Sequence, residues 1–453
     1  MIAAEPQEGL ASCHVQSWIG FARSVGQSLP RTRMAIVYEF VPLLDRHVDF
    51  QAWARRLHAE SRSGRIESVA YRHGERYVLR VRHVALQQGS RVLRDDGTYW
   101  VVGGLGGLGF ALAQRLARLG KVKLVLSGRS LPDDQAEARL RLLQEIGAEV
   151  RYLAVDISDA RATREAVRAI TAQFGHLAGV FHAAGIESSR SLLDNDAERF
   201  EAVLAAKVRG TVALTEALQG EPLDFICCFS STAAILGDFG SCDYAVANRF
   251  QSAYCHWRSA QPDGLRALVV NWPVWDADGM AQRGGQFLDR YLATTGQRGL
   301  GVDEGFDLLE RLLSQSRVQH VVMAGRRDAV ERLLGIPIEG GSVARQRNQA
   351  LVDVPQVQNG RRDTDVDVLH VLKEIACDVL GLRMDDFSGK TGFHDLGIDS
   401  INAVELLEAI NARFDLHLPT SVMFEFGNLD ALAAHVGSKS VDGGAVVRHR
   451  IQR

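Results

Sequence analysis

Four residues suited to a strand, Tyr99-Trp100-Val101-Val102, run straight into Gly103-Gly104-Leu105-Gly106-Gly107-Leu108-Gly109, and a helical stretch over 110–119 follows without a break. No other feature limits the fold as much. Residues without Cβ permit a tight turn and let backbone N–H groups approach a ligand at the helix N-terminus, where negative charge is favoured. Strand, glycine loop and helix in that order open a doubly wound sheet that holds a pyrophosphate. All seven loop residues, Gly103, Gly104, Leu105, Gly106, Gly107, Leu108 and Gly109, are therefore candidate dinucleotide contacts. The bland alternative is a glycine-rich turn with packing value only.

The stretch from about 98 to 325 bears out that opening. Apolar runs at Tyr99–Val102, Lys123–Ser127, Arg151–Asp156, Gly179–His182, Phe225–Phe229, Ala267–Asn271 and His320–Met323 alternate with helical patterns such as Ala111–Leu119 and Glu137–Ile146. Seven strands joined by helical crossovers predict an α/β, doubly wound parallel Rossmann sheet over 95–330. Residues 1–94 read as folded but without obvious chemistry, with a hairpin turning at His73-Gly74. A linker is expected over 331–365, a small all-α bundle over 366–437, and a disordered tail or connector over 438–453.

Composition fits this plan. The 453 residues, 46% apolar and 24% charged, suit two to four soluble domains. Met1-Ile2-Ala3-Ala4-Glu5-Pro6 lacks signal-peptide character, and no apolar run reaches the ~18–20 residues of a membrane span. Six cysteines without a CxxC pair suit a reducing, cytoplasmic setting, and Cys242…Cys255-His256 lacks a second ligand pair, so no metal is expected. Residues 366–437 carry a net charge of −8 and the rest +5, within a total of −3, which fits an acidic docking module or simply a solvated surface. Neither nucleic acid nor membrane is an expected partner.

The second strand ends in Ser127-Gly128-Arg129-Ser130, where NAD-binding proteins usually place a carboxylate on the ribose. A guanidinium and hydroxyls suit a 2′-phosphate instead, which favours NADPH. Asp156, followed by Ile157, ends the third strand and either bonds the adenine amino group or caps the next turn. His182-Ala183-Ala184-Gly185 ends the fourth with small residues, against which a cofactor can lie. Tyr244 and Asn248 sit four apart on an expected helix over 242–260, hence on one face. Ser231 closes a strand at the sheet edge where sites form, and Lys207 precedes that strand on a helix. A phenol of pKa ~10 is a poor acid at neutral pH; a nearby ammonium lowers it, and a serine hydroxyl stabilises the oxygen on which charge develops. Singly, each of these residues has an ordinary structural reading.

Together they resemble the ketoreductase domains of modular polyketide synthases, within the short-chain dehydrogenase/reductase superfamily. The likeness rests on Gly103–Gly109, Phe181-His182-Ala183-Ala184-Gly185, Leu204–Gly210, Phe229-Ser230-Ser231, Tyr244-Ala245-Val246-Ala247-Asn248 and Asn271-Trp272-Pro273. Most short-chain reductases carry lysine four residues after the tyrosine; here Asn248 stands there and Lys207 lies upstream, the exchanged order of polyketide ketoreductases. The resemblance implies that Lys207, Ser231, Tyr244 and Asn248 are the catalytic residues, and that residues 1–94 are a partial, catalytically silent structural subdomain of the ketoreductase. It departs from the family at Glu187-Ser188-Ser189, where one stereochemical class has Leu-Asp-Asp, at Leu236, where the other often has tryptophan, and at Val102, where threonine is common. The missing aspartates lean toward an L-configured alcohol.

In the bundle, Ala403, Leu406, Leu407, Ile410 and Phe414 form a helical apolar stripe, with Ser400 at its start. A serine after Asp399 is ordinarily a helix cap. Its surroundings, Thr391-Gly392-Phe393-His394-Asp395-Leu396-Gly397-Ile398-Asp399-Ser400-Ile401, resemble the attachment motif of acyl and peptidyl carrier proteins. That likeness implies 4′-phosphopantetheine on Ser400, installed by a phosphopantetheinyl transferase. It also implies a tethered acyl thioester and neighbouring ketosynthase, acyltransferase and possible dehydratase modules. Ile401 and Val404, off the stripe, are candidates for an apolar contact with partners. The expected function is NADPH-dependent reduction of a carrier-bound β-ketoacyl thioester. A silent reductase-like scaffold and a reductase of free carbonyls are the alternatives.

Overall fold

The computed structural model describes residues 3–4, 9–28, 32–41, 49–63, 66–186, 196–238, 242–276, 288, 291–293, 295–336, 368–380, 382–384, 387–393, 396, 400–414, 416, 418, 422, 426 and 428–442. Thr98–Val102 (β5), Lys123–Gly128 (β6), Glu149–Ala154 (β7), Gly179–His182 (β8), Phe225–Ser231 (β9), Ala267–Trp272 (β10) and Gln319–Val321 (β11) form one parallel sheet in the order β11-β10-β9-β8-β5-β6-β7. The order reverses at β5, which pairs with β6 on one side and β8 on the other. That reversal opens a crevice at the carboxyl ends of β5 and β8, the usual ligand position in such sheets.

Alternation within apolar strands explains why the sheet is covered on both faces. From β5, Tyr99 and Val101 enter one core with Leu112 and Leu116 of Gly107–Ala117 (α3) and Phe306 and Leu309 of Val302–Leu313 (α10). Trp100 and Val102 enter the other, with Val167 and Ile170 of Ala160–Phe174 (α5) and Leu214 of Gly210–Ala217 (α7). Each such side chain contributes roughly 1.5–3 kcal/mol by leaving water.

The N-terminal region holds Gly9–Ser28 (α1), Phe50–Arg62 (α2) and a four-stranded sheet of Ala3–Ala4 (β1), Val37–Val41 (β2), Val69–Arg72 (β3) and Glu75–Val78 (β4). The expected hairpin is β3–β4, pairing Arg72 with Glu75, and its turn places His73 at φ 50° and Gly74 at φ 82°. Helix α1 packs along Cys242–Ser259 (α9) so closely that a Cβ on Gly20 would lie 2.5 Å from the Ala245 oxygen. The region without chemistry therefore backs the helix that carries Tyr244 and Asn248.

Two expected boundaries move. Arg327–Leu334 (α11) runs past 331 and ends where Gly335 adopts a left-handed φ of 65°, so no linker begins before 336. At the C-terminus, Leu429–Asp442 (α14) continues beyond 437 into the expected tail.

The C-terminal helices belong to a second compact unit. Val368–Leu380 (α12), Ser400–Phe414 (α13) and α14 enclose Leu372, Ala376, Leu406, Leu407, Ile410, Leu429, Leu432 and Val436, confirming three members of the predicted stripe as core. Asn411 closes the bundle by exchanging side-chain hydrogen bonds with the backbone of Leu418, at 2.8 and 3.0 Å.

Candidate active site and carrier serine

Helix α5 and its neighbour Asp134–Ile146 (α4) start under aspartate caps, Asp159 and Asp133, whose carboxylates accept backbone N–H groups. Helix α3 has no such cap: its N-cap is Gly106, with no side-chain hydrogen bond. Its first N–H groups are left for a ligand, and an anion is what they suit. The loop is built for close approach. Gly103 has φ 79° and its N–H donates to the Ser127 carbonyl at 2.8 Å. A Cβ at Gly103 would lie 2.8 Å from Ala184, and one at Gly109 would collide with the Gly103 carbonyl. Gly104 is buried against Leu126, Gly106 and Gly107 are exposed at the mouth, and Leu105 and Leu108 pack on the adjoining core. Ala183 is tied to β5 through the Val102 oxygen at 2.9 Å, so the Ala183-Ala184-Gly185 backbone walls the crevice opposite the loop.

The residues expected to select the cofactor divide. Arg129 is exposed at the end of β6, and no partner engages its guanidinium among the described residues. Ser127 is not available as expected: it is fully buried and its hydroxyl accepts the Trp100 indole N–H at 2.9 Å. Ser127 still lies within β6, a strand buried on both faces, whereas Arg129 and Ser130 follow its end and are exposed. Asp156 acts as a turn cap, one carboxylate oxygen accepting the Ser158 N–H at 2.9 Å and hydroxyl at 2.7 Å. The Ile157 side chain belongs to the core, against Gly210, so only its backbone remains for a ligand.

Lys207 lies in a π-helical turn, Ala205–Arg209, rather than an α-helix. Such turns re-aim a side chain by one inserted residue and are frequent at functional sites. The ammonium is buried and donates to the Phe229 carbonyl of β9 at 2.7 Å and to Gln251 Oε1 of α9 at 3.2 Å. Its stem crosses the crevice wall, since a Cβ on Gly185 would lie 2.7 Å from Lys207 Cε. Burial holds its pKa down, to about 8. His182 is buried beside it, bonded through Nε2 to the Ala206 oxygen at 3.2 Å; burial, then the Lys207 charge, push its pKa down to about 3, so the ring is neutral.

Ser231 ends β9, and its Oγ accepts the Ala233 N–H at 3.2 Å, leaving the hydroxyl proton unclaimed among the described residues. Tyr244 is half-buried on α9. Asn248 donates from Nδ2 to the Tyr244 carbonyl at 2.8 Å, while its Oδ1 is buried without a partner among the described residues. An orphaned buried acceptor marks a place for water or ligand. Ser230 Oγ donates to the Asn248 carbonyl at 3.1 Å and accepts from Asn271 Nδ2 at 2.9 Å, which locks β9, β10 and α9 together. The structure thus gathers the elements carrying all four residues at one sheet edge. It bonds the ammonium to Phe229 and Gln251, however, and not to the phenol.

Gln251 escaped the sequence reading, although it lies three residues after Asn248 on the same helix face. Ser400 begins α13. Glu187, Ser188 and Ser189, on which the stereochemical expectation turns, lie outside the described residues.

A glycine-loop crevice beside a lysine-, serine- and tyrosine-bearing sheet edge defines a Rossmann domain of the short-chain reductase type. Comparison with known proteins sharpens this. Residues 97–277 match the KR domain family and residues 370–436 the phosphopantetheine attachment site family. The solved ketoreductase domain from the bacillaene assembly line is similar over 74% of this chain and 79% of its own, with 30% identity and a TM-score of 0.64. An N-terminal ketoreductase from the macrolactin assembly line gives 0.62 at 29% identity, over 74% of this chain and 64% of its own. Polyketide synthase PksM of Bacillus subtilis is 34% identical over 433 residues, 94% of this chain and 10% of that protein. Polyketide synthase ThaG of Burkholderia thailandensis is 32% identical over 450 residues, 88% of this chain and 8% of its own length. The chain belongs to the polyketide synthases and joins a ketoreductase domain to a carrier domain; it spans about a tenth of the length of these synthases. The cofactors of the two domain families are NADPH and 4′-phosphopantetheine. No helix among the described residues is long and apolar enough to cross a membrane.

Proposed function

We propose that this chain reduces the 3-keto group of a β-ketoacyl thioester held on its own Ser400, with NADPH as reductant. The observation that carries the reading is the buried ammonium of Lys207, fixed between β9 and α9 against the wall of the glycine-loop crevice. Backbone N–H groups of Gly103–Gly109 hold the pyrophosphate, and Arg129 meets the 2′-phosphate that separates NADPH from NADH. Bound NADPH supplies a hydride to C3. Ser231 donates a hydrogen bond to the carbonyl oxygen as negative charge gathers there, and Tyr244 gives that oxygen its proton. The Lys207 charge stabilises the phenolate that results, and the unpaired Asn248 oxygen offers a place for water behind it. The phosphopantetheine thiol on Ser400 carries the acyl group, so tethering raises local concentration and weak intrinsic affinity suffices.

A phosphopantetheinyl transferase is the partner needed to load Ser400, and ketosynthase, acyltransferase and dehydratase modules are the neighbours that would supply and take the intermediate. Intact-mass analysis tests the scheme directly. The chain, loaded with a β-ketoacyl phosphopantetheine and given NADPH, should gain two hydrogens. A loaded chain that binds no NADPH would reveal a scaffold, and faster reduction of free than of tethered thioester would reveal a reductase of soluble carbonyls.

A further inference from the structure

We infer that Gln251 is a positioning residue for Lys207, its amide oxygen fixing the ammonium and Thr211 fixing the amide. The inference rests on the reductase reading above for its catalytic consequence.

The hydrogen bonds form a closed ring. Lys207 Nζ donates to Gln251 Oε1 at 3.2 Å, Gln251 Nε2 donates to Thr211 Oγ1 at 3.2 Å, and Thr211 Oγ1 donates to the Lys207 carbonyl at 2.7 Å. A hydroxyl has one proton. Because that of Thr211 is spent on the Lys207 carbonyl, its oxygen can only accept from Gln251. The amide NH2 must then face Thr211 and the amide oxygen must face Lys207. All three residues are buried, so reversing the amide would leave two buried groups unsatisfied. An ammonium donates three hydrogen bonds and accepts none. Two of the three are taken, by Phe229 and Gln251, leaving one directed donor.

The ring therefore fixes the position of the cation, and its amide oxygen should raise a midpoint that burial lowers. Burial works against the charge, and the amide oxygen works for it. Among the described residues, the titratable groups acting on the ammonium are His182 of β8, which is neutral, Cys228 of β9, itself against Cys255 of α9, and, on the reductase reading, the Tyr244 phenol of α9; no carboxylate acts on it. With so few charges nearby, the amide should govern the midpoint measurably.

The test is a titration of lysine 13Cε shifts in the full chain, which has six lysines, with Lys207 assigned by the signal lost in Lys207→Met. Gln251→Met, which removes the acceptor at similar volume, should lower the Lys207 midpoint by about one pH unit, and Gln251→Glu should raise it by at least as much. Thr211→Val should lower it less, and Thr211→Ser should restore it. The alkaline limb of kcat/KM for ketone reduction should follow the midpoint in each variant, with KM little changed. A midpoint that moves by less than roughly 0.2 pH units in folded Gln251→Met and Gln251→Glu overturns the inference. So does a moved midpoint that the limb ignores. Thermal melting identifies a variant that fails to fold, and the threonine pair then carries the same test. Shifted midpoints in a chain that reduces no thioester would instead defeat the reductase reading while leaving the ring intact.

Discussion

In the reductase unit the residues proposed to act are spread from Lys207 to Asn248 over a π-helical turn, a strand end and a helix, whereas the carrier bundle relies on one serine opening α13. The first arrangement needs a fold around it. Lys207 alone depends on a carbonyl from β9 and an amide from α9, and α9 is in turn braced by α1. The second needs only a helix start that an enzyme can reach. A site made of many parts fails by degrees, and a site made of one residue fails completely.

The sharpest way to separate the two regions is Ser400→Ala. It should abolish phosphopantetheine loading, read as a missing mass increment, and leave reduction of an untethered thioester unchanged. Tyr244→Phe is the converse. Loading should proceed normally, while ketone reduction falls by about 10²–10⁴, the usual contribution of a positioned general acid. If Tyr244→Phe retained wild-type reduction, the proton would have to come from elsewhere.

Gly109→Ala probes the scaffold instead of the chemistry. Its new Cβ would meet backbone, which cannot swing aside as a side chain can. Accommodating it should cost about 1–3 kcal/mol, seen as weaker NADPH binding and a lower melting temperature for the reductase unit. Reduction and stability should fall together here, and the loading of Ser400 should not change.

The two regions also differ in how far sequence could describe them. The sheet was legible because strands buried on both faces read as apolar runs, and Trp100, Val125 and Val180 are such positions. The glycine loop was legible because few other contexts demand so many residues without Cβ. What escaped was decided by burial and by the third dimension. Nothing local in Ala205–Arg209 announces a π turn, and Gln251 acquires meaning only once Lys207 is known to reach it. Ser127 and Ile157 lay at the right strand ends, yet β6 is buried on both faces and Gly210 packs on Ile157, so both side chains lie inside. The bracing of α9 by α1 depends on Gly20, an unremarked residue until the helices cross there. In the carrier, periodicity revealed the core through Leu406, Leu407 and Ile410, but only the family motif gives Ser400 a reading other than a cap.

Arg129 gives the smallest of these effects and the most selective one. It stands exposed at the end of β6, while Ser127 beside it is spent on Trp100 and Asp156 on Ser158. On the proposed reading, discrimination between the two dinucleotides would therefore fall mainly on one guanidinium, with Ser130 next to it. A charge-assisted hydrogen bond near the surface is worth about 1.5–3 kcal/mol when desolvated, and solvent exposure reduces that. Arg129→Ala should accordingly lower the ratio of kcat/KM for NADPH to that for NADH by about tenfold, almost entirely through NADPH. NADH kinetics should stay close to wild type, because that cofactor has no 2′-phosphate to lose. An unchanged ratio would shift the recognition of the phosphate to another residue at the strand end, and Ser130→Ala would be the next variant to measure.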